Sequence, residues 1–120
     1  MKFLVVDDSR AMRMIVIRTI RQAGFDGHEI IEAENGALGL ATIAAEKPDI
    51  VLSDWNMPEM TGIEMLASLR DQGNPVTFGF VTSETTPEMR EKAIANGASF
   101  VLAKPFTADD LAECLGAFVQ

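Results

Sequence analysis

The stretch Phe3-Leu-Val-Val-Asp-Asp8 sets four apolar residues directly before two aspartates. Three later stretches repeat this pattern, in which an apolar run is followed at once by a chemically active side chain: Ile50-Val-Leu-Ser-Asp54, Phe78-Gly-Phe-Val-Thr82 and Phe100-Val-Leu-Ala-Lys104. Short apolar runs of this kind are typical of strands that are buried on both faces, as in a parallel sheet. If the four runs are neighbouring parallel strands, these polar side chains meet at one edge of the sheet.

Apolar runs and helical patterns alternate five times along the chain. The runs predict strands near 2–6, 29–33, 49–53, 77–82 and 99–103. Glu29 and Glu32 interrupt the second run, which favours an edge position for that strand. The alternation predicts an α/β fold, a doubly wound, five-stranded parallel sheet with helices on both faces.

Start and stop signals for the helices support this prediction. Four of the five helices have candidate capping residues at their N-termini, namely Ser9, Thr61, Thr86 and Thr107, and the third helix opens at Thr61 or Gly62. Gly36 precedes the second helix, and Pro87 takes the first helical position of the fourth. The first helix is expected to run to about Ala23, with Gly24 as its stop.

Length and composition limit the class of protein. A chain of 120 residues is expected to form one domain over residues 1–120, with no separate output domain. The net charge of -8 argues against nucleic-acid binding, for which a basic face is expected. No apolar stretch approaches the roughly 18 to 20 residues of a membrane span, so no membrane insertion is expected. The absence of a secretory signal and the single cysteine, Cys114, suit the cytoplasm.

The acidic residues at the predicted sheet edge indicate a site for a divalent cation. Asp7, Asp8 and Asp54 offer oxygen ligands, and a loop carbonyl such as that of Asn56 would add another. This ligand set suits Mg²⁺ as the cofactor. A carboxylate beside the metal can attack phosphorus and form an aspartyl phosphate. Asp54 is the best candidate, because it follows a middle strand whereas the other two acids are adjacent in sequence.

Phosphoryl transfer also needs positive charge and precise positioning of the transferred group. Lys104 would supply charge, and the hydroxyl of Thr82 would donate a hydrogen bond. Each signal has an ordinary structural explanation as well: an Asp-Asp-Ser sequence can start a helix, a buried lysine can neutralise an acid, and threonine ends many strands. Their joint occurrence at the strand ends favours the functional interpretation.

These motifs resemble those of two-component receiver domains, and specifically of the CheY type of chemotaxis response regulator. The matching stretches span nearly the whole chain: Phe3-Leu-Val-Val-Asp-Asp8, Ser53-Asp-Trp-Asn-Met-Pro58 with Met60 and Gly62, Val81-Thr-Ser-Glu84, Asn96-Gly-Ala-Ser99 and Lys104-Pro-Phe-Thr107. The resemblance implies a flavodoxin-like fold with strand order 2-1-3-4-5. It also implies that Asp54 is the phosphoacceptor. The implied direct Mg²⁺ ligands are Asp8, Asp54 and the Asn56 carbonyl, with Asp7 acting through water.

The resemblance also implies roles around the phosphoryl group. Thr82 and Lys104 would hold that group, and the peptide bond from Lys104 to Pro105 would be cis. Asn56 and Glu84 occupy positions that influence the rate of dephosphorylation in the family.

Partners follow from the same resemblance. The phosphoryl group would come from a sensor histidine kinase, from a phosphotransfer domain or from a small phosphodonor. The output surface would be the face made by helix 87–96, strand 99–103 and helix 107–119. The protein is expected to be a monomeric signalling protein in chemotaxis or motility, and to catalyse only its own phosphorylation and dephosphorylation.

One departure from the family pattern concerns the output switch. Family members usually carry Tyr or Phe three residues before the lysine, and this side chain turns inward when the threonine moves. Here that position is Val101, and the aromatic residue is Phe100, which strand alternation should point to the opposite face. Either the switch is blunted, or Phe100 or the adjoining loop takes over part of its role. A blunted switch would suit the alternative function as a phosphate sink or phosphorelay intermediate.

The first helix suggests a docking surface. On a helical wheel, one side carries Met12, Val16, Thr19, Ile20 and Ala23, and the opposite side carries Arg10, Arg13, Arg18 and Arg21. Met14 and Ile17 lie among the arginines. The surface is either a solvated arginine face or a docking patch for an acidic-rimmed helical partner, and we favour the docking patch.

Two other classes of function share parts of this pattern. Phosphatases with an aspartyl nucleophile often place a second aspartate two residues later as general acid, but that position here is Asn56. A flavin carrier of the same fold would need a phosphate-binding loop after the first strand, where Asp7 and Asp8 would repel the phosphate.

Overall fold

The computed structural model describes residues 1–83 and 85–118, in which one sheet lies between two layers of helices. The sheet has five strands in the order β2-β1-β3-β4-β5, and every neighbouring pair is parallel. The strands are β1 (Lys2–Val6), β2 (Glu29–Ala33), β3 (Ile50–Ser53), β4 (Thr77–Thr82) and β5 (Phe100–Ala103). The predicted flavodoxin-like α/β fold and strand order are confirmed, and β2 is an edge strand as its charges indicated.

Five α-helices lie in the described part of the chain: α1 (Arg10–Ile20), α2 (Gly36–Glu46), α3 (Gly62–Asp71), α4 (Pro87–Ala95) and α5 (Ala108–Leu115). The α-helical part of α1 is shorter than the sequence predicts, because a π-helical turn, Arg21–Phe25, continues it. Gly24 lies inside this turn with a φ of 101°, a conformation that glycine adopts without a steric penalty. None of these helices combines the length and the apolar character needed to cross a bilayer.

Each helix begins at a side chain that accepts a hydrogen bond from the first turn. Four of these caps were predicted from the sequence, namely Ser9, Thr61, Thr86 and Thr107. The cap of α2 is Asn35, whose side chain accepts a hydrogen bond of 2.8 Å from the amide of Leu38. Gly36, which the sequence analysis placed before α2, is its first residue.

Two apolar clusters cover the two faces of the sheet. On the face of α2, α3 and α4, the strands contribute Leu4, Val6, Ala33, Val51, Phe78, Phe80 and Val101. On the face of α1 and α5 they contribute Phe3, Val5, Ile50, Leu52 and Val81. Because both faces are covered by apolar packing, polar side chains gather at the ends of the strands, and the carboxyl end holds the candidate site.

Candidate functional site

Backbone hydrogen bonds continue the sheet one residue beyond the ends of its strands. The amide of Asp54 donates to the carbonyl oxygen of Val6 at 2.9 Å, and the amide of Lys104 donates to that of Thr82 at 2.8 Å. The residue after β3 is thereby fixed to β1, and the residue after β5 is fixed to β4. The local backbone therefore sets where these side chains leave the sheet.

Three aspartates converge at this edge. One carboxylate oxygen from each of Asp7, Asp8 and Asp54 lies within 4.8 Å of the others. Asp7 is buried, Asp54 is half-buried and Asp8 is exposed, so the cluster opens to solvent on one side. Within the described residues, no other group of acidic, histidine or cysteine side chains converges in this way. The donor set contains only hard oxygen atoms, which fits Mg²⁺ and does not favour zinc.

Lys104 brings positive charge to this cluster. Its Nζ lies 3.1 Å from Oδ2 of Asp7 and 3.8 Å from Oδ2 of Asp54, and its side chain is 12% exposed. One ammonium group faces three carboxylates, so the pocket keeps an excess of negative charge when all of them are ionised. A divalent cation would relieve the remaining repulsion.

The carboxylate of Asp54 is held by its own neighbour in the chain. The amide of Trp55 donates to Oδ1 of Asp54 at 2.7 Å, while Oδ2 faces Lys104. Burial raises the pKa of the Asp54 carboxyl; Lys104 and the Trp55 amide oppose this effect, and the charges of Asp7 and Asp8 add to it. Asp54 is therefore costly to ionise in the folded protein until more positive charge enters the pocket.

Two of the other predicted site residues, Thr82 and Asn56, lie at the carboxyl end of β4 and in the loop after β3. Thr82 is buried at the end of β4, where it pairs in register with Ala103 of β5. Asn56 is exposed in the loop that follows Asp54. The peptide bond from Lys104 to Pro105 is cis, as the family resemblance implied. Glu84, which the resemblance linked to dephosphorylation, lies outside the described residues.

Gly62, the first residue of α3, supports the backbone around Asp54. Its amide donates to the carbonyl oxygen of Trp55 at 2.8 Å. A Cβ atom at this position would collide with the carbonyl oxygen of Asp54 and lie 2.8 Å from the ring of Phe80. From the sequence, Gly62 was expected as part of a motif and as a possible start of the third helix, and the structure gives the physical reason for a glycine.

The aromatic residue of β5 lies on the face that strand alternation predicted. Val101 is opposite Phe80 in the β4–β5 register and belongs to the cluster of α2, α3 and α4. Phe100 packs on the other face, where its ring covers Gly79 so closely that a Cβ there would collide with it. No aromatic side chain of β5 therefore points toward α4.

The exposed side of α1 agrees only in part with the helical wheel. Met14 is 53% exposed, and it lines a groove of about 400 Å³ with Arg10, Ile17, Arg18, Arg21 and Glu32. Arg13 is not part of the solvated basic face, because its side chain is only 12% exposed and forms an ion pair of 2.9 Å with Glu32. A wheel gives the angle of a residue on its helix but does not show that a neighbouring strand end lies beside it.

Comparisons with known proteins agree with this geometry. Residues 3–115 match the family model of the response regulator receiver domain. The chain is 36% identical over 117 residues to chemotaxis protein CheY-3 of Vibrio cholerae, and the match covers 96% of this chain and 88% of that protein. It is 35% identical over 115 residues to chemotaxis protein CheY of Pseudomonas aeruginosa, with 94% and 91% covered.

Solved structures give the same result. Chemotaxis protein CheY4 of Vibrio cholerae, crystallised at low pH, superposes with a TM-score of 0.86 at 35% identity and 98% coverage of both chains. The receiver domain of the putative response regulator NarL from Mycobacterium tuberculosis has a TM-score of 0.87 at 27% identity, with 97% and 93% covered. The chain belongs to the response regulator receiver domain family, and it is similar to the CheY-like chemotaxis response regulators. Proteins of this family are signalling proteins that interact with histidine kinases and downstream targets.

Proposed function

We propose that this chain is a stand-alone phosphoacceptor, which takes a phosphoryl group from a sensor histidine kinase onto Asp54. One observation carries the proposal: the carboxylate oxygens of Asp7, Asp8 and Asp54 lie within 4.8 Å of one another, and the ammonium group of Lys104 contacts two of the three carboxylates. The protein acts as a cytoplasmic monomer with one receiver domain over residues 1–120, and it catalyses only its own phosphorylation and dephosphorylation. The names of its relatives favour a role in chemotaxis or motility.

The acidic cluster would hold Mg²⁺ through Asp8, Asp54 and the carbonyl oxygen of Asn56, with Asp7 acting through water. When bound, the ion supplies positive charge to the phosphoryl oxygens and to the crowded carboxylates. Of the three acids, Asp8 is the exposed one and therefore lies on the side from which a hydrated ion enters.

Asp54 is the nucleophile in the transfer step. An oxygen atom of its carboxylate forms a bond to phosphorus while the bond from phosphorus to the donor's imidazole nitrogen breaks, and that nitrogen keeps the electron pair. Lys104 faces the same pocket and stabilises the charge on the transferred group. The hydroxyl of Thr82 positions that group at the end of β4, so the chain supplies nucleophile, cation and hydroxyl from three strand ends.

Intact-mass spectrometry tests the proposal directly. With acetyl phosphate and Mg²⁺ in excess, the protein should gain about 80 Da, the mass of one phosphoryl group. Asp54→Asn should show no adduct, and EDTA should prevent the adduct in the unchanged protein. Asp49→Asn is the matched control, because Asp49 immediately precedes β3 whereas Asp54 immediately follows it. The adduct should form normally on this variant. An adduct on Asp54→Asn, or none on the unchanged protein, would contradict the proposal.

A phosphate sink or phosphorelay intermediate is the second candidate function. The observation that favours it is Val101, which stands on the face toward α4 where the family usually places an aromatic side chain. In the leading proposal, phosphorylation changes the face of α4, β5 and α5 and thereby its binding to a protein target. Amide hydrogen exchange at residues 87–103 should then change when beryllofluoride is added, whereas a sink would leave it unchanged.

We propose that the kinase or phosphotransfer domain docks on the groove of α1 that contains Met14 and Ile17. The groove combines exposed apolar surface with arginines, which suits a helical partner with an acidic rim. Replacing Met14 and Ile17 together by Ser should slow phosphoryl transfer from the kinase about tenfold or more, because interface centres are apolar.

The same double variant should react with acetyl phosphate at the normal rate, because a small donor needs no docking surface. Leu38→Ser is a matched control, since Leu38 is an exposed apolar residue of α2 outside the groove. Equal losses with both donors would contradict the docking proposal and point to a folding defect instead.

A further inference from the structure

Arg13 differs from the other arginines of α1 in its surroundings. Its Nη1 donates to the carbonyl oxygen of Asp7 at 2.6 Å, and its Nε donates to Oε1 of Glu32 at 2.9 Å. Arg10, Arg18 and Arg21 are exposed. The guanidinium group of Arg13 thus connects α1 to the ends of both β1 and β2.

The carbonyl group that Arg13 contacts belongs to the peptide unit between Asp7 and Asp8. Two further hydrogen bonds hold the same short segment. The amide of Asp7 donates to the carbonyl oxygen of Ala33 at 3.2 Å, and the amide of Ser9 donates to Oδ1 of Asp7 at 2.9 Å. Rotation of this peptide plane would break the contact with Arg13. The contact therefore fixes the direction in which the Asp8 side chain leaves the backbone.

Asp8 is the aspartate that most needs such support. Asp7 is buried against Lys104, and Asp54 is held by the amide of Trp55, but Asp8 is exposed to solvent. Hydrogen bonds from a charged donor are short and strong, so one guanidinium contact can hold a peptide unit in place. The ion pair with Glu32 in turn restricts the guanidinium group to the plane that reaches the carbonyl.

We propose that Arg13 is a positioning residue, which holds the Asp7–Asp8 peptide so that the Asp8 carboxylate stays within metal-binding distance of Asp7 and Asp54. The proposal rests on the magnesium site of the proposed function. It assigns Arg13 no contact with the ion or with the phosphoryl group. Glu32 acts one step further away, because it orients Arg13.

An effect of charge and an effect of positioning predict opposite changes in Mg²⁺ affinity when Arg13 is replaced. A positive group beside a cation site repels the cation, so an effect of charge alone would tighten Mg²⁺ binding when Arg13 is neutralised. Loss of positioning would weaken Mg²⁺ binding. Arg13→Lys keeps the charge but lacks the planar fork of donors that reaches two acceptors at once.

The test is a Mg²⁺ titration without phosphodonor, followed by the fluorescence of Trp55 and by calorimetry. Arg13→Gln should raise the dissociation constant about tenfold, as is typical when a partner that orients a metal ligand is lost. Arg13→Lys should bind Mg²⁺ with intermediate affinity, and Glu32→Gln should show a smaller loss than Arg13→Gln. The control is Lys47→Gln, an exposed lysine after α2, which should bind Mg²⁺ like the unchanged protein.

A second measurement needs no metal. In EDTA, the Ser9 amide should exchange its hydrogen faster in Arg13→Gln than in the unchanged protein, because the segment around Asp7 loses an anchor. A merely structural role would lower the thermal midpoint of Arg13→Gln but leave its Mg²⁺ affinity unchanged, and that result would overturn the proposal. Tighter Mg²⁺ binding by Arg13→Gln would overturn it too.

The variants also distinguish a folding defect of Arg13→Gln from the absence of a Mg²⁺ site in the unchanged protein. If Arg13→Gln does not fold, Arg13→Lys and Glu32→Gln decide the question: weaker Mg²⁺ binding by both supports positioning, and normal binding by both overturns it. If the unchanged protein binds no Mg²⁺, the proposed function fails and this inference fails with it. Normal Mg²⁺ binding by the unchanged protein and by all Arg13 variants would overturn this inference alone.

Discussion

Each end of the sheet places one lysine beside three acidic residues. At the amino end, Nζ of Lys2 lies 3.1 Å from Glu46 and 3.9 Å from Glu29, and the amide of Lys2 donates to Asp49 at 2.8 Å. At the carboxyl end, Nζ of Lys104 is also 3.1 Å from its nearest acid. Charge number and contact distance therefore do not distinguish the two ends.

Burial and convergence do distinguish them. The side chains of Lys2 and Glu46 are 25% and 48% exposed, whereas those of Lys104 and Asp7 are 12% and 4% exposed. Only the acids at the carboxyl end lie close enough to share an ion, among the described residues. Exposed ion pairs contribute little because water solvates both partners, but buried carboxylates depend on their neighbours. An acidic cluster therefore becomes a candidate site when its charges are both shielded from water and directed toward one point.

The largest effect on stability is expected when Lys104 is replaced, and Lys2 provides the matched comparison. Lys104→Gln should lower the free energy of unfolding in EDTA by about 2 to 3 kcal/mol, because it leaves the buried carboxylate of Asp7 without its cation. Lys2→Gln should change it much less, because water replaces the exposed contacts. Urea unfolding at neutral pH measures both values.

The stabilities of the two lysine variants should also respond differently to Mg²⁺. Added Mg²⁺ should recover part of the stability lost in Lys104→Gln, because the ion supplies positive charge to the same acids. Mg²⁺ should raise the free energy of unfolding of Lys2→Gln only as much as that of the unchanged protein, so the difference between those two proteins should stay the same. Equal losses in the two variants would mean that burial does not separate the two ends as described.

A smaller effect on stability is expected from replacing Asp54. Burial raises the pKa of Asp54 in the folded protein, so ionisation of this group favours unfolding. The contribution of the protonated Asp54 carboxyl to stability is complete below the unfolded pKa of about 4. This contribution is lost as the pH rises through the higher pKa of the folded protein. In EDTA, Asp54→Asn should therefore be more stable than the unchanged protein at pH 7, and this advantage should shrink as the pH falls toward 4.

At the amino end of the same strand, Asp49→Asn is not expected to gain the stability that Asp54→Asn gains. Asp49 accepts a hydrogen bond from the amide of Lys2, so its amide variant gains no stability at pH 7. Thermal unfolding over a series of pH values follows both variants. A pH-independent difference between Asp54→Asn and the unchanged protein would show that packing, and not ionisation, causes the effect.

The sequence predicted the strands and the convergence of the three aspartates well, because their signals are local. Apolar runs mark the strands to within one residue, and in a parallel sheet the residues that follow such runs share an edge. Burial of Asp7 and exposure of Asp8 did not follow from the sequence, since adjacent residues point in different directions and the surrounding loops decide which one meets solvent. The contacts of Arg13 were missed for a related reason: its partners are Asp7, which follows β1, and Glu32, which lies in β2.

Contacts between elements also explain Gly62. Alanine is preferred to glycine inside helices by about 1 kcal/mol, so helix propensity alone would favour replacing this residue. Any side chain here would collide with the backbone of Asp54. This position is therefore closed to replacement by a better helix former, and gains in the stability of α3 must come from residues further along it.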